Sequence, residues 1–444
     1  MQLVTTHRRP RLARSGQWIG AIALLSTVSA RTANWPAWRG PTGSGVTTET
    51  NLPTRWSATE NVRWKLPLAE PGNSSPIVWG NRVFITQPMD NGRHRTVVCV
   101  DRTTGKQLWQ SGTNYEAKEE SHDDNPQSSA SPATDGERVI AWFGSAGVFC
   151  YDFAGKELWH RDLGKQIHDW GYGASPVLHG DLCIVNFGPG PRTFLIALNK
   201  KTGEKVWQFD PPQPVATKER TDGFAGKDDG YVGSWSTPII VRANGRDELV
   251  MTYPGQVRAF DPLTGKELWV CDGLNPLVYT SPIYGDGIVV AMGGFYGSHL
   301  AVKPGGSANV TSSHRLWRQV RGKSGIGTGV ISDGYIYNMY AAVGVCSELK
   351  TGNIVWEERL LGTGASSESW SSMVLSGDKI YILNKSGDTI VFRASPKFEK
   401  IAVNSMGGEP ANSSIAVSNG ELFIRTDKHL WCISGVKQTV QNGR

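Results

Sequence analysis

The sequence predicts an all-β protein, an eight-bladed β-propeller of four-stranded antiparallel blades closed by an N-terminal outer strand. Three observations predict it. A small residue, a Gly turn and a Trp four positions after that Gly recur along the chain. A Ser-Pro or Thr-Pro step opens a short apolar run ahead of most copies. The composition supplies what such a repeat consumes: 52 Gly and 17 Trp in 444 residues, with only 19% charged side chains. Short strands with turn signals in units of about 40–50 residues read as propeller blades.

The first thirty residues stand apart. Arg8, Arg9, Arg11 and Arg14 precede an apolar run from Trp18 to Ala30, ending Val28-Ser29-Ala30, with no acidic residue. This pattern predicts a signal peptide over 1–30, cleaved after Ala30 and routing the chain to the periplasm or cell envelope of a bacterium. Removing its four arginines leaves 42 basic against 40 acidic residues, so +6 becomes +2 and nucleic-acid binding loses its global support. No integral membrane span is expected after cleavage. Residues 31–60 read as a lead-in segment, 61–435 as the propeller and 436–444 as a tail.

The repeat copies follow in order. Cys99-Val100-Asp101 leads through Gly105 to Trp109, and Cys150-Tyr151-Asp152 through Gly155 to Trp159. Ala197, Gly203 and Trp207 make the third copy, and Ala259, Gly265 and Trp269 the fourth. The fifth is stretched between Ala301 and Trp317 by a Gly-rich insertion, and Cys346, Gly352 and Trp356 restore the pattern. The seventh has Val391 with Phe398 in place of Trp, and the eighth ends at Cys432 without a final strand. The inner strands open at Ser75-Pro76, Ser131-Pro132, Ser175-Pro176, Thr237-Pro238 and Ser281-Pro282, then at Gly329-Val330, Ser372-Met373 and Ser414-Ile415. The segment Asn61–Leu66 carries Trp64 with no strands before it, so it is expected to supply the missing outer strand of the last blade. Gly between the third and fourth strands provides the positive φ of a tight hairpin. Trp64, Trp109, Trp159, Trp207, Trp269, Trp317 and Trp356 are expected to cover the gaps between adjacent blades.

The six cysteines read as small apolar residues. Cys99, Cys150, Cys346 and Cys432 hold one repeat position in different blades, too far apart for disulfides, and Cys183 and Cys271 lie on other strands.

The repeat resembles that of pyrroloquinoline-quinone (PQQ)-like β-propellers, small-x-Asp-x-x-Thr-Gly-Lys-x-x-Trp. Thr104-Gly105-Lys106-Gln107-Leu108-Trp109 and Thr264-Gly265-Lys266-Glu267-Leu268-Trp269 match it fully. Trp35-Pro36-Ala37-Trp38-Arg39-Gly40-Pro41, with Leu52-Pro53 and Trp56, is similar to the start of secreted bacterial members, and the resemblance spans roughly 35–435. It implies the propeller fold. For function it implies either a quinoprotein dehydrogenase or a cofactor-free scaffold such as the outer-membrane assembly lipoprotein. The dehydrogenases pair adjacent cysteines with a Trp platform and a Ca²⁺ held by carboxylate and amide oxygens. No adjacent Cys pair occurs here, and the haem motif Cys-x-x-Cys-His is absent from the sequence. Nor does the sequence hold a His-x-x-x-His pair or a Gly-x-Ser-x-Gly turn, and Gly322, Gly325, Gly327 and Gly329 form a turn rather than a phosphate cradle.

In a propeller the segments leading into the innermost strands gather on one face around the central channel, and loops on a rigid scaffold are where binding resides. Candidate ligand-binding residues are therefore His122, Asp123, Asp124 and Asn125 before blade two; His168, Asp169 and Trp170 before blade three; Asp229, Tyr231 and Trp235 before blade four; and Glu368 and Trp370 before blade seven. Glu409 and Asn412 precede blade eight. Each has a plainer use: turn capping for the carboxylates, loop hydrogen bonds for the histidines, interblade packing for the tryptophans.

The leading expectation is a monomeric, non-catalytic binding or assembly scaffold of the envelope, with no resident cofactor or metal, that takes a protein, peptide or carbohydrate partner. The alternative is a PQQ- and Ca-dependent dehydrogenase, and a second alternative is a carbohydrate-binding or carbohydrate-acting propeller.

Overall fold

A computed structural model describes residues 1–3, 33–212 and 232–435. The chain divides into two units, Met1–Arg31 and Thr32–Arg444, and the propeller belongs to the second. The expected signal peptide lies almost wholly outside the described residues, as do Asp228, Asp229, Gly230 and Tyr231 and the tail 436–444. Among the described residues no helix is long and apolar enough to cross a membrane.

The described residues form eight four-stranded antiparallel blades with almost no helix. Blade one shows the plan: Ile77–Trp79, Arg82–Met89, His94–Asp101 and Gln107–Asn114 pair in chain order. In blade eight Ala416–Ser418, Glu421–Arg425 and His429–Ser434 are joined by Val62–Pro67, with Trp64 opposite Cys432. The predicted closure therefore holds. It is reinforced by buried Glu421, which binds Arg63 of the closing strand and Arg102 of blade one, tying the closing strand and blade eight to the first blade.

The pairing explains the repeat position by position. The small residue of the third strand stands directly opposite the Trp of the fourth: Cys99 and Trp109, Cys150 and Trp159, Ala197 and Trp207, Ala259 and Trp269, Ala301 and Trp317, Cys346 and Trp356. Most of these indoles then reach the next blade. The Nε1–H of Trp109 donates to Phe153 O at 3.0 Å, Trp159 to Lys200 O at 3.1 Å, Trp207 to Pro262 O at 3.0 Å and Trp356 to Ser395 O at 3.0 Å. Trp64 and Trp317 do the same to Arg102 O and Leu349 O. The indole faces press on the next blade's turn glycine, leaving no room for a Cβ at Gly105, Gly155, Gly203, Gly265 or Gly352.

Two expectations are corrected, and one Trp bonds differently from the rest. Trp269 does not bond across the gap to blade five, because its Nε1–H is taken by Glu248 of its own blade at 2.7 Å. The stretched insertion explains this: Ala308–Asn309 returns to pair with Trp269–Val270 as a fifth strand, and Gly305 N–H also donates to Glu248. In blade seven it is Ala402, not Phe398, that faces Val391. Phe398 lies in the turn before that strand, against Trp356 of blade six. In blade six the residue equivalent to the Ser of Ser-Pro is Thr328, one position before the Gly329 of the expected start.

The lead-in plugs the channel. Trp35 pairs with Val78 of blade one, Pro36 O accepts from Thr134 N–H of blade two, and Val46–Thr47 runs parallel to Leu375–Ser376 of blade seven. Arg39, 2% exposed, donates all five of its N–H groups to carbonyl oxygens: those of Gly43 and Ser44 in its own segment and those of Thr328, Gly329 and Met373 in blades six and seven. Burial without a carboxylate pulls its pKa down to about 9, so it remains a cation at neutral pH. All six cysteines are buried free thiols, and desolvation pushes Cys99 up to about 11 and Cys150 up to about 12.

Candidate functional site

Above the plug the channel opens into a cavity of about 250 Å³. Its lining is built from two octads of the repeat. The lower octad consists of the residues that open the inner strands: Ser75, Ser131, Ser175, Thr237, Ser281, Thr328, Ser372 and Ser414. They form a closed ring of hydrogen bonds, in which the backbone N–H of each donates to the side-chain hydroxyl of the next blade's residue. The eight distances run from 2.8 to 3.1 Å, and Ser414 N–H to Ser75 Oγ closes the circle at 2.8 Å. A buried N–H without an acceptor costs about 1–3 kcal/mol, so every blade requires a hydroxyl from its neighbour.

The upper octad lies two residues earlier in each blade, on the same side of the extended chain. Here the residue types differ from blade to blade: Asn73, Ser129, Gly173, Trp235, Tyr279, Ile326, Trp370 and Asn412. Trp38 of the lead-in also lines the cavity, and the loop residues His122, Asn125, Trp170 and Phe295 complete it.

The aromatic groups form one wall. Trp235 stacks on Tyr279 with ring centroids 5.1 Å apart and planes 13° apart, and Trp170 stacks on Trp235 at 5.8 Å. Phe295 meets Tyr279 edge-on at 5.2 Å. Across the mouth, Trp370 lies 5.8 Å from His122 and carries Lys385 Nζ over its ring at 4.3 Å.

This geometry has counterparts among known proteins. A family model described as outer membrane protein assembly factor BamB matches residues 93–269 and 197–441. The chain belongs to this family. BamB of Burkholderia pseudomallei strain K96243 is 23% identical over 292 residues, covering 56% of this chain and 66% of the relative, so the match spans just under two thirds of that protein's length. The crystal structure of BamB from Moraxella catarrhalis superposes with a TM-score of 0.58 at 13% identity, over 85% of this chain and 98% of that one. Quinohemoprotein alcohol dehydrogenase from Comamonas testosteroni superposes with a TM-score of 0.66 at 12% identity, over 93% of this chain and 82% of that one. At these identities the structural likeness shows the fold alone.

Within this BamB-family propeller the predicted rim residues separate into two groups. His122, Asn125, Trp170, Trp235 and Trp370 line the cavity. Asp123, Asp124, Asp169 and Glu368 do not: among the described residues the cavity lining holds no Asp or Glu. Asp123 and Asp169 are exposed, while Asp124 and Glu368 approach Lys385 at 3.1 and 3.6 Å.

The two rim histidines act as turn caps. Nδ1 of His122 accepts Asp124 N–H and Nδ1 of His168 accepts Trp170 N–H, both at 3.1 Å. Burial lowers the pKa of His168, with nearby Asp169 opposing the shift, and its ring meets Trp235 edge-on at 4.9 Å. Asn125 donates to Trp170 O and Tyr172 O and so locks the loop before blade two to the one before blade three. Trp38, Asn73, Tyr279 and Phe295 escaped sequence reasoning. Asn73 and Tyr279 were findable, because each stands two residues before a Ser that opens an inner strand.

Proposed function

We propose that this chain is a non-catalytic binding or assembly scaffold of the bacterial cell envelope, with its partner surface at the channel mouth. The lining of the channel carries this reading. Among the described residues it presents hydroxyls, amides and aromatic faces, with no carboxylate and no cysteine. The described residues include no group of three or more His, Cys, Asp or Glu that could hold a metal ion. These residues do not fit a quinone held with Ca²⁺ against paired cysteines, so no oxidation step is assigned to them. Membership of a family described as an outer membrane protein assembly factor supports an assembly role. The stacked Trp170, Trp235 and Tyr279 favour a carbohydrate as second reading, since sugar rings pack on aromatic faces.

The test is site-specific photocrosslinking in cells. A photoreactive side chain at exposed Asp123 or Asp169 is expected to trap one discrete envelope protein, whereas the same group at exposed Lys205 on an outer strand is not. Dye-linked alcohol or sugar oxidation by the purified protein supplied with PQQ and Ca²⁺ would overturn the reading.

A further inference from the structure

We propose that the channel cavity is an oxyanion site, taking a carboxylate, phosphate or sulfate group at the ring of eight hydroxyls. Three independent features of the lining lead there.

The first is unspent hydrogen-bond donors. Each lower-octad oxygen already accepts a backbone N–H, and none of the eight O–H groups has an acceptor among the described residues. An N–H bonded to a hydroxyl oxygen polarises its O–H and makes it the better donor. The side chains line the channel, so the protons left over are available to whatever occupies it. The second is charge. Hydroxyl oxygens can also coordinate a cation, and the sign of the local field decides between the two. Arg39 is fully buried, holds carbonyl oxygens of Thr328 and Gly329 at the ring itself, and has no carboxylate partner among the described residues. Arg39 lies behind the ring rather than in the lining, and with no Asp or Glu in the described lining no carboxylate there offsets its charge. The third is a pair of unsatisfied polar groups in the upper octad. Among the described residues Trp370 Nε1–H is buried without a partner, and so is Asn412 Oδ1, and both residues line the cavity.

The inference concerns the free protein and does not require the scaffold reading. Purified full-length protein is titrated with sodium sulfate, phosphate and succinate at constant ionic strength, following the fluorescence of the cavity tryptophans and the thermal midpoint. Saturable change with at least one probe is expected; the inorganic and carboxylate arms show whether the natural ligand is a free ion or an organic acid. Asn412→Asp places a negative charge in the cavity and removes no hydrogen bond within the protein, so it should weaken binding by about tenfold or more. Trp370→Phe removes one donor, keeps the ring and should weaken binding less. No saturable response to any probe overturns the proposal. So does an equal rise in thermal midpoint in wild type and Asn412→Asp, which would be general salt exclusion. Saturable binding of Ca²⁺ by the wild type in place of anions overturns it too. Failure here leaves the crosslinking result untouched, and a failed crosslink leaves the anion titration untouched.

Discussion

Two glycine substitutions in one blade separate the cost of a backbone conformation from the cost of lost interblade docking. Gly180 and Gly203 both belong to blade three and both have positive φ, +55° and +72°. A Cβ added at Gly180 meets nothing within 4 Å, whereas at Gly203 it would lie 2.5 Å from Cε3 and 2.7 Å from Cδ2 of Trp159, which belongs to blade two. Gly180→Ala therefore carries the backbone term alone, about 1–2 kcal/mol. Gly203→Ala carries the same term plus displacement of a buried indole. Overpacking of that kind costs about 1–3 kcal/mol more. The contact is with the rigid ring system, so no flexible side-chain end can swing aside. Displacement would also break the indole bond to Lys200 O. The assay is equilibrium urea unfolding followed by tryptophan fluorescence, with midpoints compared at a common slope. A third and fourth protein complete a cycle. Trp159→Ala alone should cost about 3–5 kcal/mol, and on that background Gly203→Ala should fall back to the Gly180→Ala value. If Gly203→Ala matched Gly180→Ala in the wild-type background, or kept its full penalty without Trp159, the Trp would not be the docking element between blades.

Two further outcomes are expected. Ser175→Ala removes the acceptor of Ser131 N–H, so stability should fall by about 1–3 kcal/mol and hydrogen exchange at the Ser131 amide should accelerate; Ser175→Thr, which keeps the hydroxyl already used at Thr237 and Thr328, should retain protection. Burial depresses the pKa of His299 to about 4 from its ordinary 6.5, and its Nε2 lies 2.9 Å from Ser324 Oγ. Between those values the unfolded chain binds the proton and the folded one does not, so stability should fall as pH drops from about 6.5 towards 4. His299→Asn should flatten the unfolding midpoint across that window, and an unchanged slope would remove the assignment.

What the sequence made legible is what each blade does to itself. The Gly turn, the small residue and the Trp lie within about ten positions of one another, so their spacing betrays the hairpin that joins them. The closing strand was legible for the same reason: Trp64 came without its hairpin partner, and Cys432 lacked its Trp. The plug was not legible, because Trp35–Ser44 has no periodicity and because Arg39 is a residue type that is seldom buried unpaired. The rim carboxylates were placed on the correct loops, but their direction depends on partners far away in the chain. Asp124 turns to Lys385, which lies 261 positions later.

The hydroxyl ring shows where reading by residue stops and reading by position begins. Ser-Pro and Thr-Pro steps are visible in the sequence as strand openers. Their hydroxyls serve a different blade, 42 to 62 residues away for seven bonds and 339 for the eighth. Closure fixes the lower octad chemically: an apolar residue at any of its positions orphans a buried N–H on the neighbouring blade, so Ser or Thr stands at all eight. The upper octad, two residues away, bears no such demand and carries Asn, Ser, Gly, Trp, Tyr, Ile, Trp and Asn in turn. Fold-level likeness to both an assembly factor and an alcohol dehydrogenase therefore says little about chemistry. The ring that shapes the channel follows from closing eight blades, and the residues that distinguish one blade from the next stand in the layer that closure leaves free.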